Sequence, residues 1–266
     1  KNGHGCIFCS HKSGDFAGDV KDDLETQFEN VKNILSKKWP VASYIAYFQA
    51  GTNTYAPLET LKKDFETVLK IPNVKGLAIA TRSDAISKET YDYLTELNNR
   101  TFLMVEIGLQ TIHEETLKII NRGHSLENFE NCIKELKKRN IFTVVHIING
   151  LPFETKEMMI ETVKYLNNLK IDAIKIHMLH ILKNTPLADY YYQTNFHVLT
   201  KEEYIDIVCD QLRELDPKIV IERITGDPTK EDLIAPEWLL KKFCVLNDID
   251  KEMKKRDIYQ GDSLAH

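Results

Sequence analysis

Two hydrophobic periods take turns along this chain. Short β-rich runs occupy Val41–Phe48, Val74–Ala80, Thr101–Leu109, Ile141–Ile148 and Ile171–Met178, with a weaker sixth at Lys218–Ile224. Between them apolar residues recur at helical spacing, as in Leu24, Phe28, Val31 and Leu35, or Phe129, Cys132, Ile133 and Leu136. Cap signals mark where helices start: Asp19 ahead of the first, Ser125 and Thr155 ahead of two others. Thr200 and Glu203 form a capping-box pair before Tyr204, Ile207, Val208 and Leu212. Strand then helix, repeated at about 30 residues, predicts parallel strands joined by right-handed crossovers. No Gly-x-Gly-x-x-Gly turn follows any strand, which counts against a dinucleotide-binding sheet and favours a barrel or partial barrel.

Alternation within the strands says where a site would lie. Along Thr101–Gln110, Leu103, Val105, Ile107 and Leu109 share the face that packs on helices. Phe102, Met104, Glu106, Gly108 and Gln110 share the other, apolar early and polar late. The same gradient ends the other runs with Gln49, with Thr81 and Arg82, with His146 and Asn149, and with Lys175 and His177. Polar groups gathered at the carboxyl ends of parallel strands are what the mouth of a barrel site requires. Beyond Met178 the pattern loosens into Pro186, a tyrosine cluster at 190–192 and helices from Thr200; Ala235–Arg256 reads as helical.

Composition narrows the classes. With 266 residues, 42% hydrophobic and 28% charged, the chain can bury a sizeable core. A net charge of -5 (35 basic, 40 acidic) argues against coating nucleic acid by bulk charge. No apolar run reaches the roughly 20 residues of a membrane-spanning helix, so no membrane partner is expected. Five scattered cysteines do not make a disulfide scaffold, and a reducing, cytoplasmic setting is the default.

Cys6-x-x-Cys9 stands apart from the other cysteines because it sits in a glycine-bordered loop. Two thiolates there could serve a zinc knuckle, a redox pair or an iron–sulfur centre; metal ligation is favoured. Cys132, Cys209 and Cys244 lie in helical stretches and read as packing residues.

Taken together, several segments resemble the radical S-adenosylmethionine (SAM) superfamily. They are Gly5–Cys9 with Ser13–Gly18, Phe48–Pro57, Thr81–Asp84, Glu106–Thr111, Asn121–His124, His146–Pro152, Ile174–His180 and Arg223–Gly226. The pattern is similar to the radical SAM domain of the Elongator catalytic subunit and to oxygen-independent coproporphyrinogen oxidases. That resemblance implies an α/β fold, a partial (β/α)6 TIM-like barrel of the radical SAM type with a helical C-terminal extension. It divides the chain into a core barrel at 1–224 and the extension at 225–266. It also implies a [4Fe–4S] cluster and SAM as cofactors, cleavage of SAM to a 5′-deoxyadenosyl radical, and an electron donor such as flavodoxin or ferredoxin.

Carried over by position, Cys6 and Cys9 match two cluster ligands. The usual spacing puts the first cysteine where Asn2 stands, so that ligand and the first barrel strand are expected ahead of Lys1. Phe8 matches the aromatic beside the SAM adenine, and Gly51 and Thr52 the turn whose backbone receives the methionine amino group. Gln110 and Arg122, twelve residues apart, match a pair that binds ribose and carboxylate. Glu106 is expected to join them or to orient Arg122, and His146 to lie on the strand whose following loop passes the adenine. Thr81, Arg82, Asp84, Lys175, His177 and His180 face the substrate side without an assigned step. Likeness to Elongator-type domains points to modification of a transfer-RNA base, the wobble uridine being the candidate, with a local basic anchor at Lys241, Lys242, Lys251, Lys254, Lys255 and Arg256. The alternatives are a radical SAM enzyme on a small-molecule or porphyrinogen-like substrate, or a non-catalytic, metal-bound RNA-binding or scaffold protein.

Overall fold

A computed structural model describes residues 5–9, 19, 21–228 and 230–264. Six strands form one parallel sheet: β1 (Tyr44–Phe48), β2 (Val74–Thr81), β3 (Phe102–Gln110), β4 (Phe142–Asn149), β5 (Ala173–Met178) and, at its far edge, Val220–Arg223. A two-stranded antiparallel ribbon pairs β6 (Ile181–Leu182) with β8 (Leu233–Ala235), which leaves Val220–Arg223 as β7. The strand order β1-β2-β3-β4-β5-β7 follows the chain, the topology of a partial (β/α)6 barrel with C-terminal helices, as the pattern predicts. All six expected strands are present within a few residues. The ribbon was not foreseen, because strands of two and three residues carry no readable period.

The helices are α1 (Leu24–Ser36), α2 (Leu58–Leu69), α3 (Lys88–Arg100), α4 (Glu114–Ile119), α5 (Leu126–Lys138), α6 (Lys156–Asn167), α7 (Pro186–Thr194), α8 (Lys201–Glu214) and α9 (Lys242–Arg256). Thr155 caps α6 by accepting from Met158 N–H, and Thr200 with Glu203 completes the capping box of α8. The first cap is a correction: Asp23, not Asp19, accepts from Thr26 N–H, because only a residue directly before the helix can reach its N3 amide. Ala235–Arg256 is corrected too. A cis bond precedes Pro236, and a 3-10 turn at Glu237–Lys241 comes before α9, since proline cannot continue a helix from its preceding residue.

By compactness the chain divides into two units. One comprises Lys1–Ser10, Leu109–Glu127 and Val145–His266; the other comprises His11–Gly108 and Asn128–Val144. The expected alternation holds on β3: Leu103, Val105, Ile107 and Leu109 are buried, as is Glu106 on the opposite face. In the first unit, Ile7 and Phe8 of the cysteine loop pack on a core that includes Leu117, Ile120, Leu151, Leu179 and Leu187. Two backbone bonds fix that loop, Ile7 N–H to Ile120 C=O at 3.0 Å and Leu187 N–H to Ile7 C=O at 3.0 Å.

Charged residues hold the C-terminal helix in place. Lys156 on α6 bonds Asp206 on α8 at 2.5 Å and also pairs with Asp210, while Arg256 on α9 reaches Asp206 at 2.7 Å and Asp210 at 3.3 Å. Lys251, Lys254 and Lys255 pair with Asp248, Asp250 and Glu252 on their own helix, so this basic run is locally neutralised on a solvated face.

Beneath the end of β4 lies a buried amide pair. Asn149 Nδ2 donates to Gln211 Oε1 at 2.7 Å, and Gln211 Nε2 donates to Asn149 Oδ1 at 2.8 Å and to Met159 C=O at 2.9 Å. Both residues are at most 1% exposed. Gln211→Leu would leave the buried Asn149 amide without its partner and should destabilise the fold by about 2–3 kcal/mol. Urea denaturation is the measurement, and the loss should appear as a lower midpoint at unchanged slope.

Candidate active site

The cysteine loop is built for exposed sulfur. Cys9 N–H donates to Cys6 C=O at 3.0 Å, closing a tight turn with Cys6 half-buried and Cys9 exposed. A bond from the Cys6 thiol holds Cys9 below the ordinary thiol value against the opposing effect of burial, which favours the thiolate that metals take. Among the described residues no group of three or more His, Cys, Asp or Glu side chains is close enough to hold a metal ion. Asn2 and Ser13–Gly18 lie outside the described residues.

Phe8 contributes to a cavity of about 220 Å³ lined also by Gln110, His146, Ile148, His177, Met178, Leu179 and His180. These residues come from the cysteine loop and from the carboxyl ends of β3, β4 and β5, as the polar gradient along the strands predicts. His177 Nε2 and His146 Nδ1 are 3.2 Å apart and share one hydrogen bond, their rings 5.0 Å apart. Burial first, then His146, Arg223, Lys175 and His180, pushes the His177 imidazole well below its usual value. Burial also lowers His180, outweighing its Nδ1 contact with Met178 C=O. The imidazoles of His177 and His180 are therefore neutral at neutral pH. Gln110 has φ 63°, and its Oε1 is buried without a partner.

Arg122 lies just beyond, 1% exposed. Its Nη1 donates to Leu109 C=O at 2.7 Å, and its Nε and Nη2 donate to His124 C=O at 3.1 and 2.9 Å. The sequence reading makes Arg122 a carboxylate fork; in the structure three of its donors serve backbone carbonyls. Glu154, in the loop after β4, escaped the sequence reading. Burial raises its carboxyl, hydrogen bonds with Thr111 and Thr116 oppose this, and Oε1 has no partner. Only its place after Asn149-Gly-Leu-Pro could have pointed to it.

Gly51, Thr52 and Glu106 belong to the other unit. Gly51 has φ 77° with open space where a Cβ would sit, and Tyr55 N–H closes on Thr52 C=O at 3.0 Å. Asn53 ties this turn to the strands, donating to Phe48 C=O at 2.9 Å and Ala80 C=O at 2.8 Å. Tyr47 O–H donates to the buried Glu106 at 2.6 Å, a partner that alternation alone could not name. At the nearby strand ends, Thr81 and Thr54 share a 2.6 Å bond, and Arg82 grips Asp84 with two contacts of 2.9 and 3.0 Å. Lys175, in the first unit, pairs with Glu222 at 3.4 Å.

Two thiols in one loop and an orphaned amide oxygen at a cavity, all in the first unit, are features that a cluster and a polar nucleoside ligand would use. Residues 3–166 match the Radical SAM superfamily and residues 171–255 the Radical_SAM C-terminal domain. Uncharacterized protein YtqA of Bacillus subtilis is 48% identical over 97% of this chain and 80% of its own length. The tRNA uridine(34) acetyltransferase of Methanocaldococcus infernus is 27% identical over 50% of this chain and 25% of that protein. The solved structure of archaeal Methanocaldococcus infernus Elp3 with an N-terminal deletion superposes with a TM-score of 0.74 at 20% identity. It covers 88% of this chain, which in turn spans 59% of that one.

A histidine whose folded value is depressed contributes stability above its unfolded value, and that contribution is lost as pH falls. The melting temperature should therefore drop as pH is lowered below about 6.5, toward the depressed folded value of His177. His177→Phe should flatten this dependence in a calorimetric pH series; an unchanged slope would mean that His177 charges freely.

Proposed function

The chain belongs to the radical SAM superfamily, and we propose that it modifies a carbon of a transfer-RNA base, with the wobble uridine as its target. It is a radical SAM enzyme whose cofactors are a [4Fe–4S] cluster and SAM. When bound, the cluster supplies the electron that splits SAM into methionine and a 5′-deoxyadenosyl radical, which takes a hydrogen atom from the substrate.

The protein's part is placement and exclusion of water. Cys6 and Cys9 would hold two irons, with the turn between them pinned through Ile7. As the resemblance implies, the backbone of Gly51 and Thr52 would receive the methionine amino group; Gly51 has open space where a side chain would sit. Phe8 and His146 would flank the adenine, and the Gln110 amide would accept from a ribose hydroxyl. The observation that carries this reading is that Phe8, from the loop of Cys6 and Cys9, lines the same cavity as Gln110 and His146. The transfer-RNA substrate is supported by the likeness to the tRNA uridine(34) acetyltransferase. A flavodoxin- or ferredoxin-type donor in a cytoplasmic setting completes the reading.

Anoxic reconstitution of the full-length protein with iron and sulfide should give a brown protein that forms 5′-deoxyadenosine from SAM under strong reductant. Cys9→Ala should lose cluster absorbance and at least a hundredfold of that activity (an order-of-magnitude figure for losing a metal ligand). Mass spectrometry of transfer-RNA nucleosides from a deletion strain should reveal one missing modification. An unchanged profile would move the substrate to a small molecule.

A further inference from the structure

A second cavity of the first unit, about 370 Å³ in volume, lies between the carboxyl end of β7 and the start of α9. Its size falls within the roughly 300–1,000 Å³ of small-molecule sites. Glu222, Arg223, Gly226, Asp227, Lys242 and Phe243 are among its lining residues. Only a short segment separates it from the cavity beside the cysteine loop. Residues 224–227 follow β7, and a side chain on Gly226 would come within 3.3 Å of His180 Nδ1, the imidazole that lines the first cavity. Tyr204, fully buried, fastens this segment by donating from its O–H to Ile224 C=O at 2.8 Å. The two cavities therefore share a fixed wall on the side where the strands end.

Charge in the second cavity is lopsided once its ion pairs are set aside. Lys242 reaches Asp227 at 2.5 Å and Lys175 reaches Glu222 at 3.4 Å, so each carboxylate already has a cation. Among the described residues the Arg223 guanidinium has no hydrogen bond or ion pair. It is near enough to His177 for its charge to help keep that imidazole neutral. Lys251, Lys254 and Lys255 are matched by acids on α9 itself, so among these groups Arg223 is the one left for an anion. Beside it, Phe243 on the first turn of α9 is 72% exposed. An exposed aromatic face next to an unmatched guanidinium suits a nucleotide: the ring stacks a base and the fork takes phosphate oxygens. Resting on the transfer-RNA reading above, we propose that this cavity is a second nucleotide subsite, where Phe243 stacks the base and Arg223 binds the phosphate of a nucleotide flanking the one that reacts. The target base enters the first cavity, and the RNA strand passes over residues 224–227 with its bases splayed apart.

The probe is a fluorescein-labelled anticodon stem-loop RNA, titrated into reconstituted full-length protein at several salt concentrations. Arg223→Gln should weaken binding about tenfold and reduce the slope of log affinity against log salt by about 0.7, the value for one phosphate of a single strand. Phe243→Ala should weaken binding about tenfold through lost stacking and leave that slope unchanged. Both residues are exposed, so neither change should unfold the protein. A stem-loop carrying 5-iodouridine next to the target position should photocrosslink to Phe243, as located by peptide mass spectrometry. Variants that hold the RNA as tightly as the parent would overturn the proposal and leave the cavity to a small anion. So would an unchanged salt slope in Arg223→Gln, or crosslinks found only outside this cavity. Parent protein that binds the stem-loop no better than an unrelated hairpin would instead remove the transfer-RNA reading beneath it.

Discussion

A buried guanidinium organises the end of the third strand. Removing Arg122 from water costs several kcal/mol, and the carbonyls of Leu109 and His124 offset that cost through charge-assisted bonds. A fork of fixed geometry can hold two carbonyls from separate segments only if both are correctly placed. This one therefore makes the strand end and the 121–124 turn a single body. Asn121, the first residue of that turn, donates to Gly5 C=O at 3.2 Å, which extends the restraint to the start of the cysteine loop.

The loop itself gains order from packing more than from its sequence. The five residues Gly5–Cys9 have little intrinsic preference for one conformation. Burying Ile7 and Phe8 against the core beside α4 and α7 sets its direction, and the backbone bonds to Ile120 and Leu187 set its register. The two inner side chains of the loop anchor it, while Cys9 remains exposed and Cys6 half-buried. A reactive centre placed on a rigid support in this way needs no stabilisation from its own ligand-binding atoms.

Electrostatics at the cavity follow from the same burial. Burial lowers both His177 and His180, and for His177 the nearby Arg223 and Lys175 add to it, so each serves as a neutral hydrogen-bonding group. Lys175 pairs with Glu222 at 3.4 Å. Among the described residues the cavity walls present the Gln110 amide, three imidazoles and the Phe8 ring.

Strand order, strand direction and the face of each side chain were legible in the sequence, because periods of two and about 3.6 report backbone geometry directly. Leu103 through Leu109 and the polar ends of the strands were assigned to the correct faces for that reason. The cysteine pair was legible from spacing, and Thr155 and Thr200 from cap chemistry. What periodicity could not give was partnership. Nothing local tells Tyr47 that it will donate to Glu106, 59 positions away, or pairs Asn149 with Gln211 at a separation of 62. Nor could it show Arg122 spending donors on backbone carbonyls, or Gln110 Oε1 buried without a partner. The sequence by itself determined which face of its strand each residue takes. Tertiary structure decided which of them are already satisfied, because hydrogen-bond saturation in a buried place depends on groups that the chain brings together only when it folds.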